Sequence, residues 1–224
     1  MQWMKKLFIV LAACILLVAG VLYATADSHY PALQDGDLIF QTSTSSQSTA
    51  ILVATANRFT HMGMINMVGK DIVVIEAAGT VKETPLAQWV KRGLFERVAI
   101  YRDPALTPAQ AKQIIAAAKG YYGKPYDLFF SFHNDAIYCS ELPYLAYRKA
   151  GITIGTVQKI ADLNFDNAPV RKLIARRWQR HAECQAKHYD FAQCYDYILH
   201  QELVTPASIA KDARFTKIYS NYPF

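Results

Sequence analysis

The sequence predicts an α+β fold, a small antiparallel sheet with helices packed on it, and three stretches carry that prediction. "HMGMINMV" (61–68) and "DIVVIEA" (71–77) are apolar runs joined at Gly69-Lys70, which reads as a tight hairpin. "TPAQAKQIIAAAKGYY" opens a helix with Thr107 as N-cap and Pro108 at the first helical position. "CSELPYLAYRKAG" gives a second helix, starting at or near Cys139, running to about Lys149 and ended by Gly151. No internal repeat and no long low-complexity linker interrupts the chain.

From the N-terminus, Lys5-Lys6 precedes an uncharged, mostly apolar run from Leu7 to Ala26. Ala24-Thr25-Ala26 has the small-x-small form of a signal-peptidase site, so residues 1–26 read as an export signal and 27–224 as the mature hydrolase domain. Two other readings stay open. The run is long enough for an uncleaved membrane anchor, and Leu11-Ala12-Ala13-Cys14 resembles a lipoprotein box. All three put the rest of the chain outside the cytoplasm, in the periplasm or an equivalent space. The remaining length of nearly 200 residues is enough for one domain with a real core.

Further along, "DLIFQT" (37–42) is a strand after the Asp35-Gly36 turn. Ser43 to Ser48 is a polar patch able to cap the helix "STAILVATAN", which ends near Asn57. "TPLAQWVKRG" is a short helix and "RVAIYR" (97–102) a further strand. Gly123-Lys124-Pro125 breaks the chain before "YDLFFSFHN", and the remainder is helical and loop-rich, including the basic "VRKLIARRWQRH" (170–181).

The formal charge is +6, and +4 without Lys5 and Lys6. An exported, mildly basic chain has no use for nucleic acid; anionic wall polymer or lipid headgroups are more natural neighbours, as is plain solvent. Cys184 and Cys194 lie close together in an oxidising compartment and are expected to form a disulfide. His181, Cys184, His188 and Cys194 also have the residue types of a tetrahedral zinc site. With Cys14 in the leader, Cys139 is the odd thiol out.

A cysteine nucleophile needs a thiolate, a base and a group that orients the base. A helix N-terminus lowers a thiol pKa, and Cys139 is placed at one. Of the six histidines only His61 stands at the mouth of a predicted strand. If Gly69-Lys70 form the turn, Val68 pairs with Asp71, Ile65 with Val74, and Gly63 faces Glu76, leaving open space beside that carboxylate. His61 and Glu76 then share a sheet face as diagonal neighbours, roughly 5–8 Å apart. Glu76 is also the only charge inside "VVIEAAG", and an isolated carboxylate among apolar residues needs a partner. The reading is a triad: Cys139 nucleophile, His61 base, Glu76 orienter. Each has a plainer alternative, as a small buried side chain, a structural strand histidine and an edge charge.

"GDLIF", "THMGM", "VIEAAG", "YGKPYD" and "YCSEL", in that order, resemble the circularly permuted NlpC-type papain-like amidases of the YaeF/YiiX group. The likeness covers residues 33 to 160 best. In ordinary NlpC-type enzymes the cysteine helix comes first; here His61 precedes Cys139. The resemblance implies a permuted papain-like fold with a Cys-His dyad on facing helix and sheet, carried by Cys139 and His61, and by Glu76. It also implies substrate contacts at Tyr126 and Asp127, and the backbone N–H of Cys139 as one oxyanion donor. No metal or organic cofactor is required. The expectation is an exported hydrolase of an amide, thioester or ester bond in a small-molecule, peptide or lipid-linked envelope substrate. Its alternatives are a lipid acyltransferase or phospholipase on the same dyad, and a non-catalytic envelope protein.

Overall fold

The computed structural model describes residues 2–24, 29–132 and 134–223. The expected cleavage position after Ala26 lies outside the described residues, as does His133. Helix α1 (Gln2–Ala24) carries the apolar N-terminal run. Among the residues whose side chains are described, no helix is long and apolar enough to cross a membrane; Ala19 and residues 21–24 of α1 are outside that set.

Next come β1 (Leu38–Ser43), α2 (Ser48–Thr55), β2 (His61–Val68), β3 (Asp71–Ala78), β4 (Thr80–Pro85), α3 (Leu86–Lys91) and β5 (Gly93–Arg102). They are followed by α4 (Pro108–Lys119), α5 (Glu141–Lys149), β6 (Val157–Lys159), α6 (Ala168–Arg177), α7 (Ala182–Ala186) and α8 (Phe191–Leu199). The chain ends through β7 (Glu202–Val204), α9 (Pro206–Ala210) and β8 (Thr216–Ser220). Six strands form one antiparallel sheet in the order β4-β3-β2-β1-β5-β8, and β6 and β7 form a separate ribbon. The α+β class expected from the sequence is the class observed.

The β2–β3 hairpin has the register that turn counting gives: Val68 opposite Asp71, Ile65 opposite Val74, Met64 opposite Ile75. Gly69 takes the left-handed conformation that a two-residue hairpin turn requires, with φ at 62°. The open space expected at Gly63 does not exist. A Cβ there would lie 2.4 Å from Val74 Cγ1 and 2.8 Å from Ile75 O, so this glycine serves close packing of β3.

Two strands of the sheet were not legible. β4 alternates charged and small residues, "TVKETP", and looks like a loop; it is an edge strand, where charge is tolerated. β8 pairs with β5 from the far C-terminus. The polar patch before α2 also works differently from expectation. The residue at the N-cap is Gln47, with no side-chain cap; Ser43 Oγ accepts from Ser45 N–H, and Ser48 Oγ pairs with Thr60 Oγ1 at 2.6 Å. Helix α4 starts as predicted, with a reciprocal Thr107–Gln110 capping box and Pro108 in its first turn.

Apolar side chains are buried on both faces of the sheet. Leu38, Phe40, Met62, Met64 and Ile75 pack against Ile114 of α4 and Leu142 and Tyr147 of α5. Ile39, Ile65, Val74, Val98 and Ile100 pack with Trp89 of α3. A third, smaller cluster joins α2, α6 and α8 through Ala50, Val170, Ile174 and Ile198. Within it the Cys184–Cys194 disulfide ties α7 to α8. Sulfurs bonded to each other are not thiolate ligands, so the zinc alternative loses two of its four groups.

Candidate active site

His61 opens β2, and Glu76 lies near the far end of the antiparallel β3, so the hairpin itself brings them together. His61 Nε2 stands 2.7 Å from Glu76 Oε2. Glu76 is fully buried, and its other oxygen, Oε1, accepts from the Thr84 hydroxyl at 2.6 Å and from the Arg92 guanidinium. Both donors sit on the β4–α3 segment. The Trp89 ring stacks on the imidazole with centroids 5.8 Å apart, and this fixes the plane in which His61 can act.

Cys139 lies two residues ahead of α5 and is 2 % exposed. Leu142 N–H already bonds to Tyr138 C=O, so the helical turn encloses Cys139 and directs its free amide end toward the sulfur. The His61 side chain, the Met62 backbone N–H and the Tyr126 hydroxyl surround the thiol closely enough for each to lower its pKa. Since Nε2 of His61 is engaged by Glu76, Nδ1 is the nitrogen left for the sulfur.

The electrostatics follow from these contacts. Burial pushes the Cys139 thiol up, but the hydrogen bond and charge of His61, then Met62 N–H and Tyr126, outweigh it and hold the thiol below its ordinary range. Burial pulls His61 down, but Cys139 and Glu76 raise it to about 9. Burial would raise Glu76, yet His61, Thr84 and Arg92 hold it at about 2. The lowered thiol and the raised imidazole both shift the pair toward thiolate and imidazolium. Glu141, in the first turn of α5, is raised to about 8 by burial and so places little negative charge beside the thiolate.

The structure brings Cys139, His61, Glu76 and Tyr126 together, and it does not add Asp127. Expected as a substrate contact, Asp127 is buried and its two oxygens accept from Phe129 N–H, Ser131 N–H and the Asn134 side-chain amide. It organises the 127–134 loop, in the manner of an aspartate that caps its own turn. Four residues escaped sequence reading: Thr84, Trp89 and Arg92 around the imidazole, and Gln47. Gln47 Nε2 donates to the Tyr126 hydroxyl at 2.7 Å, while Arg177 Nη1 donates to Gln47 Oε1 at 3.0 Å. Burial and the nearby Cys139 charge push the Tyr126 hydroxyl well above its usual range, so it keeps its proton. Polar "TSSQST" carries a capping signal that hides this use of Gln47.

Two hollows flank these residues and share Leu128 and Arg177 in their walls. One is a cleft lined by the 43–47 loop, His61, Arg92, Tyr126 and Arg177. The other is a narrow, half-open hollow of about 100 Å³ whose lining includes Cys139. Its lining is almost wholly apolar, with Ile51 from α2, Phe129 and Phe130 from the loop, Val170 and Ile174 from α6, and Ile198 from α8. The third apolar cluster is thus one wall of a hollow whose lining includes Cys139.

Among solved structures, that of the metalloprotein YiiX from Escherichia coli O157:H7 has a TM-score of 0.75 and 33 % identity, over 85 % of this chain and 98 % of that one. Among the described residues no group of three or more His, Cys, Asp or Glu side chains could hold a metal ion. The uncharacterised protein YiiX of Escherichia coli strain K12 is 32 % identical over 192 residues, 85 % of this chain and 88 % of its own. A family model described as a permuted papain-like amidase enzyme, YaeF/YiiX, C92 family, matches residues 32–219, which extends the likeness through the C-terminal segment that forms the cavity wall. With its histidine strand ahead of its cysteine helix, the chain belongs to the permuted papain-like amidase family of the YaeF/YiiX type.

Proposed function

We propose that this protein is an exported cysteine amidase that removes a long-chain acyl group from an amine in an envelope-derived substrate, through Cys139, His61 and Glu76. The single observation that carries the substrate class is the apolar cavity ending at Cys139. A wall murein peptide has amides and charges that would lie unpaired against those side chains, at a cost of several kcal/mol. A hydrocarbon chain has none, and gains about 0.8 kcal/mol per buried CH₂.

The chemistry then runs in two acyl-transfer steps. The Cys139 thiolate attacks the acyl carbonyl carbon, and the carbonyl electrons move to oxygen, where the Cys139 N–H at the helix start donates to the oxyanion. On collapse the C–N bond breaks and imidazolium His61 gives its proton to the departing amine. A thioester remains on Cys139 with the acyl tail in the cavity. Neutral His61 then takes a proton from water as its oxygen attacks the thioester, and collapse releases the fatty acid and restores the ion pair. Throughout, Glu76 holds Nε2–H and stabilises the charged ring, and Trp89 keeps the ring in plane.

A series of acyl p-nitroanilides from acetyl to dodecanoyl tests this reading. The expected kcat/KM rises with chain length by up to about fourfold per CH₂ until the cavity is full, and intact-mass spectrometry shows a transient acyl adduct on Cys139. A flat dependence, or turnover without the adduct, sinks the proposal.

A further inference from the structure

Arg177 is the last residue of α6 and lines both the apolar cavity and the polar cleft, so it stands where an acyl tail ends and a leaving group begins. One nitrogen, Nη1, donates to Gln47 Oε1 and to Leu128 C=O, each at 3.0 Å. Among the described residues nothing else engages the guanidinium: no carboxylate pairs with it, and neither Nε nor Nη2 has a protein partner. Those two nitrogens are also absent from the buried atoms that lack partners, so they open to solvent.

The charges of the cleft make this arginine distinctive. Glu76 takes up Arg92, and the Cys139 thiolate takes up the His61 imidazolium. Apart from those pairs the lining is uncharged, with the serines and threonine of the 43–46 loop and Gln41, and it contains no carboxylate. Among the described residues lining the cleft, Arg177 is the positive charge left without a counterion. A half-buried guanidinium fixed by one nitrogen, with an open fork of donors, matches a planar or tetrahedral oxyanion.

We infer that Arg177 is a specificity-determining residue that binds an anionic group on the leaving amine, a carboxylate or a phosphate a few bonds from the scissile amide. This rests on the acyl-amidase reading above and names the other half of its substrate: an acyl chain joined to an anionic amine, such as an amino acid or a phosphorylated amino alcohol. Gln47 is then shared between the anion site and the nucleophile. The hydrogen bonds run from Arg177 to Gln47 and from Gln47 to Tyr126, whose hydroxyl lies near enough to Cys139 for the two to perturb each other's pKa.

The test measures binding separately from turnover. In the Cys139→Ala variant, calorimetry compares N-dodecanoylglycine with N-dodecanoylglycinamide, and N-dodecanoyl phosphoethanolamine with N-dodecanoylethanolamine. Each anionic ligand is expected to bind about tenfold or more tightly than its neutral partner, the scale of a charge-assisted pair. The pair with the larger ratio identifies carboxylate or phosphate as the native anion. Adding Arg177→Gln should bring the ratio close to one, and Arg177→Lys should keep much of it. If Arg177 served only to position Gln47, both ligands of a pair would weaken alike and the ratio would survive Arg177→Gln. That result, or equal affinity before the substitution, overturns the inference. Wild-type protein that binds the anionic ligands selectively yet never cleaves an acyl amide would overturn the amidase reading and leave the anion site standing.

Discussion

Replacing Glu76 by Gln changes one atom, and the hydrogen bonds around that carboxylate say what should follow. Oε1 receives two donors, the Thr84 hydroxyl and the Arg92 guanidinium, while Oε2 receives one, His61 Nε2–H. A glutamine has a single acceptor oxygen, and the two donors on the β4–α3 segment hold it. The amide nitrogen then faces His61 Nε2, donor against donor. The imidazole relieves this by moving its proton to Nδ1, the nitrogen that faces Cys139, and in that tautomer it cannot take the thiol proton. The lost anion adds to the effect. A charge-assisted hydrogen bond is worth about 1.5–3 kcal/mol against about 1 kcal/mol for a neutral one, so the imidazole pKa of about 9 drops by roughly 0.4–1.5 units at about 1.36 kcal/mol per unit. Together these predict a loss of roughly 10²- to 10⁴-fold in kcat/KM, the upper end being the loss from the equivalent aspartate-to-asparagine change in a serine triad. The assay is hydrolysis of dodecanoyl p-nitroanilide, with the rate of Cys139 alkylation by iodoacetamide followed across pH in the same variant. Activity within threefold of wild type, with an unmoved alkylation profile, would refute the orienting role of Glu76.

The remaining predictions use other parts of the same geometry. Cys139 should alkylate well below pH 8.5, the pKa of a free thiol, because its own pKa is lowered; labelling that rises only through the ordinary thiol range would refute the ion pair. Above about pH 9 His61 loses the proton it must give to the leaving amine, so kcat/KM should fall there, and a plateau to pH 11 would count against it as the acid. Ile174→Trp should lower the ratio of dodecanoyl to acetyl turnover at least tenfold by filling the cavity, and an unchanged ratio would remove the cavity from substrate binding. Reduction of Cys184–Cys194, a separation of 10 residues, should cost about 2–3 kcal/mol and loosen α7 and α8 while Cys139 labelling is retained. Peptide mapping without reductant should recover the 184–194 crosslink, and a bridge to Cys139 would overturn both assignments. Burial lowers the pKa of His181, so the unfolded state binds its proton first and stability is lost as pH falls below about 6.5; amide protection factors across residues 181–200, taken relative to the intrinsic exchange rate at each pH, should fall from pH 7 to pH 5, and unchanged protection would contradict this.

Local rules read the hairpin correctly because everything needed lies within a few residues. Gly69-Lys70 fixes the turn, the turn fixes the register, and the register puts His61 and Glu76 on one face. Thr107 and Pro108 announced α4 for the same reason. What stayed hidden depends on segments far apart in sequence. Arg177 meets Gln47 across 130 residues, and neither residue carries a pattern that points to the other. β4 reads as loop because it is an edge strand whose alternate residues face water, yet it supplies Thr84. Asp127 shows the opposite failure: a carboxylate beside the active-site tyrosine looked like a substrate contact, and the backbone of its own loop consumes it. Proximity in sequence identified the neighbourhood and not the direction of the side chain.

The division of labour along the chain explains why substrate choice was the least legible property. The reacting groups, with the residues that orient and charge them, all lie between Gln47 and Ser140. Val170, Ile174, Ile198 and Arg177, which form the outer cavity wall and its charged rim, come after the nucleophile, on helices that pack on α2 and on each other. Those helices touch the chemistry through two connections. Arg177 reaches Gln47, and β7 holds the nucleophile turn, where Val204 C=O accepts from the Ser140 hydroxyl and Val204 N–H donates to the Tyr138 hydroxyl. A change in α6 or α8 can therefore alter the shape and charge of what is bound while leaving the thiolate, imidazolium and carboxylate in place. On the proposed acyl-amidase reading, the C-terminal segment selects the substrate, the hairpin and α5 carry out the reaction, and Gln47 is the side chain through which the first can reach the second.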